Sequence, residues 1–169
     1  MKKFSLLIAL WLQLALVFNV YSQITLNEIP ISIPEYKLGF YDWADFDNDG
    51  DQDVVIYGKS GTVYKSRIYV NQGNFSFVES PIQLPNASGG EIRWGDYNND
   101  GKMDLLFSAD NGGVPGNFSR VYKNVDNQSF VDIQVSLPTN QSNEGSGLSS
   151  IWADLNNDGL LDVITKGYF

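Results

Sequence analysis

An acidic segment recurs three times in this chain, and it limits the possible folds more than any other feature. The copies are Trp43-Ala-Asp-Phe-Asp-Asn-Asp-Gly-Asp-Gln-Asp53, Trp94-Gly-Asp-Tyr-Asn-Asn-Asp-Gly-Lys-Met-Asp104 and Trp152-Ala-Asp-Leu-Asn-Asn-Asp-Gly-Leu-Leu-Asp162. They start 51 and 58 residues apart, and each is followed by a short apolar run: Val54 to Tyr57, Leu105 to Phe107, and Val163-Ile164. A period near fifty residues implies a tandem architecture, in which each unit buries its apolar face against a neighbour.

The repeat extends beyond the acidic loops. Ser66-Arg-Ile-Tyr-Val-Asn71 matches Ser119-Arg-Val-Tyr-Lys-Asn124, and Phe77-Val-Glu79 with Leu84-Pro85 matches Phe130-Val-Asp132 with Leu137-Pro138. Ile24 to Pro34 reads as a further copy of that last piece. From Pro34 to Asp45 and from Pro85 to Asp96 are 11 residues each, but Pro138 to Asp154 is 16. The third unit therefore carries an insertion, most simply a surface loop within Thr139 to Ser150, which is rich in Asn, Ser and Gly.

Each unit holds short runs of strand-like composition bounded by Asn, Gly, Asp and Pro, and no stretch sustains a helical period with caps. The expected strands are 24–33 alone, then 38–45, 53–58, 65–71 and 75–84, then 91–96, 104–108, 118–124 and 129–137. Four strands in about fifty residues describe a propeller blade. The expected fold is all-β: a partial β-propeller of about two complete four-stranded blades, a lone N-terminal strand and a C-terminal half blade. The units run about 35–85, 86–138 and 139–169, the last incomplete. Propellers close with about four to eight blades. The count therefore points to the front end of a longer protein, or to a short product that cannot close by itself. Open strand edges and a bare blade face would invite self-association.

The loops share the pattern Asp-x-Asp/Asn-x-Asp-Gly-x-x-Asp, whose chemistry suits a hard cation. Calcium takes six to eight oxygen ligands. Positions 1, 3 and 5 supply side-chain oxygens, Gly at 6 lets the chain double back, the carbonyl of 7 can turn inward, and Asp at 9 can close the site. The candidate ligands of loop one are Asp45, Asp47, Asp49, the carbonyl of Asp51, and Asp53. Loop two offers Asp96, Asn98, Asp100, the carbonyl of Lys102, and Asp104; loop three offers Asp154, Asn156, Asp158, the carbonyl of Leu160, and Asp162. Crowded carboxylates repel by about 1 kcal/mol per close pair even at the dielectric of water, and a divalent ion relieves this. Loop one carries the most negative charge and should bind most tightly. Magnesium fits less well because it demands a strict octahedron. An EF-hand would need Glu at position 12 and flanking helices, but position 12 is Ile56, Phe107 or Thr165. A dockerin-like pair of loops would also need helices.

These loops, the preceding Trp-Ala/Gly and the Tyr-x-Asn strand give a sequence that resembles the FG-GAP/VCBS repeats of extracellular proteins, including the integrin-type calcium loops of β-propeller blades. The resemblance spans most of residues 24–169 and implies calcium ligands at the positions named above. Such blades serve adhesion, carbohydrate-linked proteins and enzyme appendages alike.

Residues 1–22 have the layout of a secretory signal peptide: Lys2 and Lys3, an apolar stretch from Phe4 to Val20, and a small residue at Ser22 before Gln23. A retained membrane anchor is the alternative reading. Cleavage leaves 23–169 as the repeat region, with no later membrane span, and takes the net charge from −9 to −11. That charge argues against nucleic acid or an anionic membrane as partner. With no Cys and no His, a disulfide framework, a thiolate or imidazole metal site and a Ser-His-Asp triad are all excluded.

Trp43, Trp94 and Trp152 stand at a fixed place before each loop, which favours blade-to-blade packing over sugar stacking. Tyr69 and Tyr122 are also expected to pack. Arg67 and Arg120 are expected to meet a loop carboxylate, a backbone carbonyl or solvent. Asn-x-Ser triplets at Asn74, Asn86, Asn117, Asn127 and Asn140 count only in a glycosylating host. Glycoside hydrolysis would need a carboxylate pair, but Glu28, Glu35, Glu79, Glu91 and Glu144 recur in no shared setting. The expected function is a secreted or cell-surface calcium-binding repeat module without catalysis. Its metal is structural and its partner an unidentified extracellular protein or glycan. The alternative is a noncatalytic propeller portion of a larger secreted carbohydrate-active enzyme.

Overall fold

The computed structural model describes residues 28–87, 89–110, 118–135, 137–138 and 149–166. The expected leader at 1–22 lies outside these residues, as do 139–148 of the loop expected within 139–150; Ser149 and Ser150 belong to a strand instead. All regular structure among them is β-strand. Strands β1 (Lys37–Ala44), β2 (Asp53–Ser60), β3 (Val63–Asn71) and β4 (Phe77–Glu79) form one antiparallel sheet in chain order. Strands β5 (Gly89–Gly95), β6 (Asp104–Asp110), β7 (Phe118–Val125) and β8 (Ser129–Asp132) form a second sheet of the same order. Strands β9 (Ser149–Ala153) and β10 (Asp162–Lys166) form a two-stranded hairpin that repeats the first half of each sheet. The fold is an all-β partial propeller.

The register follows the sequence repeat. Trp43 lies opposite Val54, Trp94 opposite Leu105, and Trp152 opposite Val163. Each acidic loop thus joins the first and second strands of its sheet, and its position-9 Asp starts the second strand. Because strand side chains alternate, each inner strand presents one face to the preceding unit and one to the next. In the second sheet Ile92, Trp94, Leu105 and Phe107 face the first sheet, joined by Val55, Tyr57, Ile68 and Phe46 in one buried cluster. Tyr57 and Phe107 rings sit 5.8 Å apart across this junction. The Tyr57 hydroxyl donates to the carbonyl of Gly90, and the amide of Trp94 donates to Asp42 Oδ2 at 2.9 Å.

The fourth strands are shorter than the expected 75–84 and 129–137. One further ladder bond follows each, from the Ser80 amide to the Ile68 carbonyl at 2.8 Å and from the Ile133 amide to the Val121 carbonyl at 3.1 Å. Ile82 and Leu84 then leave the sheet and bury themselves between the two sheets. Their apolar character serves packing, not pairing. The expected strand at 24–33 is also corrected over its described part, because residues 28–36 form no ladder. Within it, Ser32 Oγ accepts from the Phe77 amide at 3.3 Å and donates to the Phe77 carbonyl at 3.1 Å. One side chain thereby satisfies both main-chain groups of an edge residue, while Ile33 and Tyr36 pack on Val54, Tyr69 and Phe77.

Candidate metal centre

The three acidic loops share one scaffold of hydrogen bonds. Position 1 organises each turn. Asp45 accepts from the amides of Asp49 and Gly50, both at 3.0 Å. Asp96 accepts from Asp100 and Gly101 at 3.0 and 2.8 Å, and Asp154 from Asp158 and Gly159 at 3.2 and 2.9 Å. Position 5 accepts from the amide of position 7: Asp49 from Asp51 at 2.9 Å, Asp100 from Lys102 at 3.1 Å, and Asp158 from Leu160 at 2.8 Å. The glycine at position 6 has φ of +95°, +81° and +85° in the three loops, a conformation that any side chain would strain.

Position 9 is the deepest part of each full site. Asp53 and Asp104 are completely buried. Asp53 accepts from the amides of Phe46 and Asn71, each at 2.8 Å. Asp104 Oδ1 accepts from the Asn124 amide at 2.8 Å, and Asp162 Oδ2 from the Leu155 amide at 3.0 Å. Burial raises the carboxyl pKa of Asp53 and Asp104 above the ordinary value, and the amides of Asn71 and Phe46, or of Asn124 and Tyr97, partly offset this. The charges of Asp47 and Asp49 push Asp53 further in the same direction, and those of Asp100 and Asp96 do so for Asp104.

Position 3 separates the loops. In loops two and three it is Asn, which bonds to position 5 on both sides. Asn98 accepts from the Asp100 amide at 3.0 Å and donates Nδ2 to Asp100 Oδ2 at 3.2 Å. Asn156 repeats this with Asp158 at 2.9 and 2.9 Å. Lys123 adds an ion pair to Asp100 at 3.2 Å. Some desolvation works against Asp100, but the Lys123 ammonium, the Lys102 amide and the Asn98 carboxamide hold its carboxyl below the usual value.

Loop one has no such donor. Asp45, Asp47 and Asp49 each bring a carboxylate oxygen within 4.8 Å of the other two, and among the described residues this is the one group of three such ligands. Asp47 Oδ1 is buried with no hydrogen-bond partner. Its carboxyl is raised by burial first, then by the charges of Asp49 and Asp45, with backbone bonding in opposition. An acceptor-only set with one undonated buried oxygen fits a hard divalent cation on chemical grounds. The remaining predicted ligands, Asp51, Lys102 and Leu160, sit at the turn with their amides bonded to position 5, as described above.

Two sets of residues escaped the sequence reading. Asn71 and Asn124, noted there only as part of a strand motif, clamp the loops. Their Nδ2 groups donate to the carbonyls of Gln52 and Met103 at 3.2 and 3.1 Å, beside the amide bonds to position 9. Position 4 is the second set: Asn48, Asn99 and Asn157 have φ of +63°, +54° and +57°. Asn48 Nδ2 donates to the Gly101 carbonyl at 3.1 Å and Asn99 Nδ2 to the Gly159 carbonyl at 2.7 Å, so each loop is tied to the next. The threefold recurrence of Asn at position 4 was the available signal, since Asn tolerates the left-handed region and can donate.

For the arginines the loop-carboxylate option is corrected, and the backbone-carbonyl option holds for Arg67. Arg67 pairs with Glu79 at 2.8 Å and Arg120 with Asp132 at 3.1 Å, across to the fourth strand rather than to a loop carboxylate. Arg67 also donates to the Ser66 carbonyl at 2.7 Å.

Blade-like sheets joined through acidic hairpins define a propeller-type repeat module. The chain belongs to the FG-GAP-like repeat family, whose model matches residues 45–107 and 96–165. Each match begins at a position-1 Asp and runs past the following loop. No curated protein and no solved structure gives a significant match to the chain.

Proposed function

We propose that this chain is an exported, calcium-stabilised binding module in which the metal is structural and the blades carry an adhesive or ligand-binding surface. The observation that carries the metal half is the carboxylate trio Asp45, Asp47 and Asp49, in which Asp47 Oδ1 is buried without a hydrogen-bond partner. Calcium suits it better than magnesium, because an irregular hairpin with carboxylate and carbonyl oxygens meets a flexible coordination sphere more easily than a strict octahedron. The ion would neutralise the trio and pin the hairpin between β1 and β2. Loop two, already supplied with Asn98 and Lys123 donors, and loop three, with Asn156, would depend on it less.

Export is supported by the leader-like residues 1–22, and no helix among the described residues is long and apolar enough to cross a membrane. The acidic side chains serve loop geometry and metal on this reading, not catalysis. The partner is an extracellular protein or glycan.

Calorimetric titration of calcium and of magnesium into the protein tests the metal. The expected result is heat with calcium, a rise in melting temperature, and a smaller response with magnesium. Absence of both heat and thermal shift with calcium would overturn the reading.

A further inference from the structure

We propose that Asn48 and Asn99 are positioning residues that couple the three acidic loops, so that the order of each loop sets the geometry of the next. The coupling itself does not depend on the calcium reading; its consequence for cation affinity rests on that reading.

Each tie lands on one particular peptide group. Asn48 Nδ2 donates to the Gly101 carbonyl at 3.1 Å. That carbonyl shares a planar peptide group with the Lys102 amide, and the Lys102 amide donates to Asp100 Oδ1 at 3.1 Å. In a trans peptide the C=O and N–H point opposite ways, so a bond at each end fixes the rotation of the plane. The plane directly precedes the Lys102 carbonyl, which is expected among the ligands. The second tie has the same form. Asn99 Nδ2 meets the Gly159 carbonyl at 2.7 Å, and the Leu160 amide of that group donates to Asp158 Oδ1 at 2.8 Å.

Hydrogen bonds in series polarise one another. A donor on the carbonyl draws charge through the peptide and makes its N–H a better donor to the carboxylate beyond. Each tie therefore strengthens the hold on position 5 of the following loop.

The relay is continuous. Asn48 stands in the chain between Asp47 and Asp49, and Asn99 between Asn98 and Asp100. Whatever fixes positions 3 and 5 of one loop also fixes the backbone of the asparagine that reaches the next. Both asparagines are exposed, so the value of the tie lies in orientation and not in burial. A cation that orders Asp45, Asp47 and Asp49 would present loop two with its Gly101–Lys102 peptide already set. By linkage, an occupied loop two would favour loop one by the same factor.

Backbone amide exchange, followed by nuclear magnetic resonance on the full chain, tests this with Asn48→Gly and Asn99→Gly. The native residues have φ of +63° and +54°, which glycine adopts without strain, so each change deletes only the donor. Strand content by circular dichroism and the urea midpoint should stay near wild type, because both positions are exposed. In chelator, Asn48→Gly should speed exchange at the Gly101 and Lys102 amides by about three- to tenfold, the scale of one neutral hydrogen bond. The Gly50 and Asp51 amides should keep their wild-type rates. Asn99→Gly should act in the same way on Gly159 and Leu160 and spare loop one. With calcium added, protection of the Lys102 amide should need about three- to tenfold more calcium in Asn48→Gly than in wild type. Unchanged loop-two rates in Asn48→Gly, or equal acceleration in all three loops, overturn the coupling. Equal calcium midpoints overturn its extension to the cation. Should calcium alter no amide in any of the proteins, the metal reading fails, and the rates in chelator still decide the coupling.

Discussion

The backbone amide of Asn124 donates to Oδ1 of Asp104 at 2.8 Å, tying the third strand of the second sheet to the buried residue that starts its second strand. The same bond joins Asn71 to Asp53 in the first sheet. The Asn124 side chain adds bonds from Nδ2 to the Met103 carbonyl and to Asn127 Oδ1, and accepts from the Asn127 amide at 2.8 Å. Asn124→Ala leaves the main-chain bond but strips the others from a fully enclosed position. Unsatisfied buried groups cost about 1–3 kcal/mol each, so the variant should lose about 2–4 kcal/mol in urea unfolding. A loss below about 0.5 kcal/mol would mean the clamp is not structural.

Much of this arrangement was legible beforehand. The loop pattern located the turns, and Asp53 and Asp104 do begin β2 and β6. The clamp was not, because Asn71 and Asn124 act on residues eighteen and twenty positions earlier in the chain, a distance that only the sheet register closes. The overlong fourth strands have a related cause. Ile82 and Leu84 have strand-like composition, yet their backbone leaves the ladder so that their side chains can fill the space between sheets. Apolar composition reports burial, and it does not say whether a ladder or a junction does the burying.

On the proposed calcium reading, position 3 would set how far each loop depends on the ion. Asp47→Asn would give loop one a carboxamide where Asn98 and Asn156 already donate to position 5. The variant should weaken calcium binding by at least tenfold and raise metal-free stability by roughly 1 kcal/mol, as one close carboxylate repulsion disappears. Calcium titration and urea unfolding in chelator measure the two effects. Asn98→Asp should act in the opposite sense at loop two. If Asp47→Asn leaves calcium affinity unchanged, Asp47 is not a ligand.

Gly95 stands where the other two units carry Ala44 and Ala153. A Cβ there would lie 2.5 Å from Trp152 Cδ1 and 2.6 Å from its Nε1, so the indole that Tyr97 stacks on would have to move. Gly95→Ala should cost about 1–3 kcal/mol, the usual range for overpacking, with a change in tryptophan fluorescence. Full stability with an unaltered spectrum would show that the hairpin does not press on Gly95.

Tyr57 links the first two sheets and predicts an alkaline weakness. Burial first, then the charge of Glu91, pushes its phenol up to about 12 from an ordinary value of 10.0. The folded state therefore favours the neutral phenol. Its contribution is complete below pH 10 and is lost as the pH rises toward 12, because the unfolded chain releases its proton first. Two units correspond to a loss on the order of 2–3 kcal/mol across that window. Tyr69 and Tyr122 are also raised by burial, so they add to the slope. Urea unfolding at stepped alkaline pH should show stability falling from about pH 10, and Tyr57→Phe should flatten the fall without abolishing it. The same variant removes the hydroxyl that bonds Gly90, so its stability at neutral pH should drop by about 1 kcal/mol. An equal slope in wild type and variant would place the Tyr57 phenol in contact with solvent, and the first junction would then be looser than its packing indicates.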